Sequence, residues 1–130
     1  MIGLDTNVLV RYIMQDDPKQ SPKATRLVEA LTPEAPGFVP LVAVVELVWV
    51  LSSAYGLDRQ QVSDALELLL RSKEIILDRA DQVLQAQRRF KSGGDFADCL
   101  IERIAAEAGC VSTMTFDAGA VKSAGMTLIA

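Results

Sequence analysis

Residues 37–51 read GFVPLVAVVELVWVL, and the fold turns on whether this stretch spans a membrane or fills a core. A span needs about 20 consecutive apolar residues. Here Pro40 and Glu46 interrupt the run, and Ser52 and Ser53 close it. The better reading is a short strand, GFVP at 37–40, followed by a buried helix from about 41 to 55. Pro40 sits near the first turn of that helix, where a missing N–H costs little. A helix so apolar is expected to be covered nearly all round. Glu46 in its middle then needs a partner or an ion, because a buried lone carboxylate is costly.

Working outward, the same alternation recurs. IGL at 2–4 is a short apolar strand that runs through Asp-Thr-Asn into a helix over 8–14. Asp16-Asp17-Pro18 is a loop, and Ser21-Pro22 reads as N-cap and first helical residue of a helix through Leu27, Val28 and Leu31. Asp58 with Gln61 has the form of a capping box opening a helix through Val62, Leu66 and Leu69. EIIL at 74–77 is a strand, 80–91 a helix, and Gly93-Gly94 a turn. DFADCLIERIAAEAG at 95–109 is an amphipathic helix with a glycine stop. VSTMTF at 111–116 and MTLI at 126–129 complete the strands, with a turn at Asp117. Strands alternating with helices predict an α/β fold, a sandwich with a mainly parallel central sheet, in a single domain over 1–130.

Composition narrows the chemistry. The chain has 130 residues and no histidine, which excludes histidine general bases, Ser-His triads and histidine-ligated zinc. Any metal has to be held by oxygen, which favours Mg²⁺ or Mn²⁺. Two cysteines, Cys99 and Cys110, cannot build a four-ligand zinc site and read as small packed core residues. MIGLDTN lacks a basic segment leading into an apolar one, so no secretory signal is read there and a cytoplasmic location is expected.

In parallel α/β folds, sites collect at the carboxyl ends of strands. Asp5 and Asp117 follow strands, Glu46 lies in the apolar helix, and Asp98 shares a helical face with Asp95. Four carboxylates from separate elements could converge. Like charges at about 4 Å repel by roughly 1 kcal/mol in water and more in a poorer dielectric. A divalent cation turns that repulsion into binding, lowers the pKa of water and stabilises charge on a phosphoryl oxygen. Each acid also has a plainer explanation. Asp5 and Asp117 suit helix caps. Asp95, Asp98 and Glu102 form a stripe that is ordinarily solvated. Glu46 could pair with an arginine.

Taken together, LDTNVLVRY, VELVWVL, DFADCLIERIAAEAGC and TFD, in this order across essentially the whole chain, resemble the PIN-domain family, and within it the VapC toxins of prokaryotic toxin–antitoxin pairs. The resemblance implies a three-layer α/β/α sandwich and a Mg²⁺- or Mn²⁺-dependent endoribonuclease. It matches Asp5, Glu46, Asp98 and Asp117 to the family's four metal-holding acids, and Asn7 and Thr115 to polar residues that brace the site. Asp95 matches an acid present in part of the family and is an auxiliary candidate. Hydrolysis by water would leave 5′-phosphate and 3′-hydroxyl ends. The implied partners are an RNA substrate, a VapB-type antitoxin and a second copy in a homodimer.

Formal net charge is -4, from 13 basic and 17 acidic residues, which is unusual for an RNA binder. Without the four site acids the balance is neutral. Arg88, Arg89 and Lys91 are then the candidate phosphate contacts, although cations at a helix end also suit its dipole. A receiver domain would need a phosphoacceptor and a lysine in register, and neither is present. A haloacid dehalogenase-type phosphatase needs a second Asp where this chain has Asn7. The stronger rival is a catalytically inactive PIN domain that serves as an interaction module.

Overall fold

The computed structural model describes residues 1–130. They divide into two compact units, Met1–Asp78 and Arg79–Ala130. No helix is long and apolar enough to cross a membrane.

The first unit runs β1 (Ile2–Gly3), α1 (Thr6–Met14), α2 (Gln20–Glu29), β2 (Gly37–Val39), α3 (Leu41–Ser53), α4 (Arg59–Arg71) and β3 (Ile75–Leu77). Its sheet has the order β1-β2-β3, and both pairings are parallel. Ile2 pairs with Gly37, and Gly37 in turn with Ile75. Each connection between paired strands is a pair of helices, as parallel pairing requires. β2 is the middle strand and is largely covered. Val39 is fully buried, and a Cβ at Gly37 would come within 2.7 Å of the Leu4 side chain. Leu9, Val44, Leu47, Leu51, Val62 and Leu66 fill the core with no exposure.

Local chemistry explains most boundaries in this unit. Asp58 and Gln61 form the reciprocal capping box that opens α4, with N···O distances of 2.8 and 2.9 Å. Pro40 offers α3 no side-chain cap, and Asp78 supplies one from the end of β3: its Oδ2 accepts from the Leu41 amide at 3.2 Å. α2 begins two residues earlier than expected, and Ser21 is not its cap. Asp17 Oδ1 takes the amides of Lys19 and Gln20 at 2.9 and 2.7 Å, while Ser21 is buried and its hydroxyl accepts from the Asp17 amide. With the Asp17 carboxylate, four residues upstream, already holding the first amides, the serine is drawn inside the first turn.

α3 corrects the expectation of all-round burial. Ala43, Val44, Leu47, Val48 and Leu51 make the inner stripe, whereas Val42 is 79% and Trp49 64% exposed. Glu46 lies on that open side and is itself exposed. Apolar residues on both faces conceal the helical period, so the sequence alone does not say which side is inside.

The second unit runs α5 (Ala80–Lys91), α6 (Phe96–Glu107), β4 (Met114–Thr115), α7 (Ala118–Ala124) and β5 (Thr127–Leu128). α5 and α6 pack through Val83, Ala86 and Phe90 against Phe96, Cys99 and Leu100, with the Phe90 and Phe96 rings edge to face at 6.3 Å. Between them, Gly93 takes φ 114°, and a Cβ at Gly94 would meet Cys99 Sγ at 2.8 Å. β4 and β5 are parallel, with Met114 beside Thr127. The strand expected over 111–116 shrinks to two residues: Val111 stands free in solvent, and a ladder extends only as far as its partner strand. α7 has no large apolar periodicity in AGAVKSA, which is why it read as a turn; Asp117 starts it, and Gly125 at φ 76° ends it. Cys110 is exposed, contrary to the packed role expected of it, while Cys99 is buried. Burial raises the Cys99 thiol pKa above its usual value.

Candidate functional site

Three of the proposed site acids are helix N-caps. Asp5 Oδ1 accepts from the Val8 amide at 3.0 Å, Asp95 Oδ2 from the Asp98 amide at 2.9 Å, and Asp117 Oδ1 from the Gly119 amide at 2.8 Å. The plainer explanation of Asp5 and Asp117 is therefore realised, and it extends to Asp95. Capping does not exhaust these groups. Each cap uses one carboxylate oxygen and leaves the other with no hydrogen bond. A strand that turns directly into a helix puts the capping acid at the strand's carboxyl end, so one geometry serves both roles.

Within the first unit, Asp5 and Glu46 line the same pocket of about 390 Å³, with Gly3, Thr6, Pro40 and Val42 around them. Glu46 makes neither an ion pair nor a hydrogen bond. The arginine partner that would have explained it away is absent. The requirement for a buried partner lapses as well, since the carboxylate reaches solvent. Asn7 does not brace Asp5; its amide donates to Gln20 Oε1 at 3.3 Å.

Within the second unit, Asp98 is half-buried on α6. Its carboxyl is raised above the ordinary aspartate range, first by burial and then by the charges of Asp95 and Asp117. These three acids thus sense one another. The Thr115 hydroxyl accepts from the Asp117 amide at 3.0 Å. Glu102, on the same stripe, is spent elsewhere. Arg103 grips it through two bonds of 2.7 and 2.9 Å and holds its carboxyl below the usual range.

The basic triplet separates into two kinds. Arg89 Nη1 donates to the Ala124 carbonyl and lies 3.8 Å from Glu102 Oε2, tying α5 to the end of α7. Arg88 and Lys91 are exposed in the last turn of α5.

One cluster was not anticipated. Arg11 donates from Nε to Gln20 Oε1 at 2.8 Å and from Nη1 to Asp16 Oδ1 and Tyr55 Oη, both at 3.1 Å. Tyr55 in turn donates to Asp16 Oδ2 at 2.6 Å. That last bond leads in lowering the Asp16 carboxyl and in raising the Tyr55 phenol. The available signal was Arg11 four residues after Asn7, on one face of α1. Asp78, the cap of α3, was missed too; its signal was an acid directly after an apolar strand.

The donor chemistry suits a hard divalent cation, being carboxylate oxygen throughout. Two of the acids share a pocket, and three others are electrostatically linked. No three acidic or thiol side chains, however, stand close enough to close around one ion. The acids fit the cation in kind, without forming a finished coordination shell.

The sequence matches the PIN domain over residues 2–125, through both units. The chain belongs to the PIN-domain family, a family of nucleases that typically use Mg²⁺ or Mn²⁺. No curated protein matches it.

Proposed function

We propose that this chain is a metal-dependent endoribonuclease of the VapC kind, the toxin of a prokaryotic toxin–antitoxin pair. It acts as one PIN domain in the cytoplasm, pairs as a homodimer and is silenced by a VapB-type antitoxin. Asp5, Glu46, Asp98 and Asp117 are the carboxylates that hold Mg²⁺ or Mn²⁺, with Asp95 and Thr115 in support. The observation that carries this reading is that Asp5 and Glu46 line one pocket while Glu46 has no cation partner; Asp98 agrees with it, its carboxyl raised first by burial and then by repulsion from Asp95 and Asp117. Such repulsion is costly in a merely structural cluster and is relieved by a divalent cation.

Bound Mg²⁺ or Mn²⁺ would supply charge neutralisation at the phosphate and acidify the attacking water. The chain's own part is positioning. Asp5 and Asp117 fix the first turns of α1 and α7 through Oδ1 and keep Oδ2 available. Asp98, half-buried on α6, would turn its carboxylate to the cation and not to water.

The second reading, an inactive PIN domain used for binding, is favoured by the absence of any three side chains placed to close around one ion. Purified protein incubated with total RNA separates the two. On the proposed reading, cleavage requires Mn²⁺ or Mg²⁺, disappears in Asp5→Asn and Asp98→Asn, and leaves 5′-phosphate ends. RNA left intact with every divalent metal would support the binding module, and 2′,3′-cyclic phosphate ends would rule out attack by water.

A further inference from the structure

Glu46 lines two adjoining pockets in the first unit. One is the pocket shared with Asp5; the other, about 350 Å³, lies between α1 and α3 and is lined by Asn7, Arg11, Glu46 and Tyr55. The second has a different chemistry from the first. Asn7 and Arg11 are one turn apart on α1, and Glu46 and Val50 form one stripe on α3 that its C-cap Ala54 continues. Arg11 lies about 9 Å of helix axis beyond Asp5.

The Arg11 guanidinium is held as a plate. Nε and both protons of Nη1 are engaged by Gln20, Asp16 and Tyr55, while Nη2 has no hydrogen bond, and the side chain keeps 25% of its surface exposed. Held at Nε and Nη1, the guanidinium leaves Nη2 to donate to a phosphate oxygen, and the donor is already ordered. A third hollow carries the donor character onward: Arg11 also lines it, with Gln20 and Lys23. Acids followed by fixed donors and a lysine is the order that a polyanionic strand would meet.

We infer that the α1–α3 groove is a backbone subsite for single-stranded RNA, in which Arg11 grips a phosphate flanking the one addressed by Asp5 and Glu46, and Tyr55 and Asp16 hold Arg11 in place. This deepens the nuclease reading and rests on it. Arg11 is a substrate contact; Tyr55 is a positioning residue.

The test is binding of a fluorescein-labelled single-stranded RNA to the full chain carrying Asp5→Asn, read by anisotropy in Mg²⁺ over a range of salt. Adding Arg11→Gln weakens binding about tenfold, the worth of one charge-assisted contact. It also flattens the slope of log K against log salt by about 0.7, the share of one phosphate on a single strand. Arg11→Lys keeps the slope and loses part of the affinity. Tyr55→Phe weakens binding less than Arg11→Gln and leaves the slope alone. Unchanged affinity and slope in Arg11→Gln, with a lowered unfolding midpoint, would make Arg11 an internal strut and overturn the inference. So would no RNA binding at all, or equal Arg11-dependent binding of an oligoglutamate. Cleavage is scored separately: wild-type protein that leaves RNA intact with every metal removes the nuclease reading, while an Arg11-dependent salt slope still establishes the subsite.

Discussion

Asp5 stands at the junction of two roles, and paired substitutions separate them. Its Oδ1 caps α1 by accepting from the Val8 amide at 3.0 Å, and it lines the pocket that also holds Glu46. Asparagine caps as well as aspartate, so Asp5→Asn keeps the hydrogen bond and removes the charge. Alanine removes both. Loss of the cap costs about 1 kcal/mol. The charge near the positive end of α1 contributes about 0.3–1 kcal/mol more at an exposed site. For a chain of 130 residues, 1 kcal/mol corresponds to about 4 °C in Tm. Asp5→Asn is therefore expected to melt within about 4 °C of the parent, and Asp5→Ala about 4 °C below Asp5→Asn. RNA cleavage in Mn²⁺ should be lost equally in both, because the ligand charge is absent from each. Thermal unfolding by circular dichroism and a gel cleavage assay on the same preparations decide it. If Asp5→Asn cleaves RNA as well as the parent while Asp5→Ala is inactive, Asp5 is a cap whose only contribution is to the fold of α1.

Asp98 gives a pH-dependent signature. Its folded pKa is raised, so between the ordinary aspartate value of 3.8 and that raised value the native state binds more protons than the unfolded state, and stability falls as pH rises. Asp98→Asn should therefore be more stable than the parent to urea at pH 7, with the difference closing as pH falls toward 3.8; a constant difference across that range would mean that neither burial nor the charges of Asp95 and Asp117 raise its pKa. The two faces of α3 should differ sharply. Leu47→Ala, on the fully buried side, should cost about 2–5 kcal/mol, and Trp49→Ala, at 64% exposure, within about 0.5 kcal/mol, both by urea unfolding; a large loss in Trp49→Ala would place that indole in a core.

The helices other than α7, most of the strands and the turn at Gly93-Gly94 were legible because each carries a local physical cause. Asp58 with Gln61 marks a cap whatever surrounds it, and the bounds of α5 follow from its own apolar period. The failures share a different cause. The inner side of α3 depends on what packs against it, and β4 depends on how much of β5 is available to pair. α7, built from AGAVKSA, gains its burial from Ala120 and Ala124, which are too small to stand out as a pattern. Arg89 looked like a free cation in a basic triplet, but the carbonyl that binds it is 35 residues away. Such pairings arise in three dimensions and leave no trace in local spacing.

The acids show why a site can be found in a sequence and still not be proved by it. In a parallel α/β chain, the residue after a strand is often the cap of the next helix, and aspartate is favoured there on stability alone. The same position is where ligands bind. Asp5 and Asp117 satisfy both demands with different oxygens of one carboxylate, so neither position nor residue type can distinguish them. Asp98 caps nothing, is half-buried, and stands among charges of its own sign. Glu46 has neither a cap to make nor a cation to hold, and it opens onto the pocket that Asp5 lines. Helix stability explains neither residue. The weight of the functional reading therefore rests on these two acids: the sequence already set Glu46 apart, and the fold adds Asp98, whose half-buried place among like charges its position on a polar stripe did not reveal.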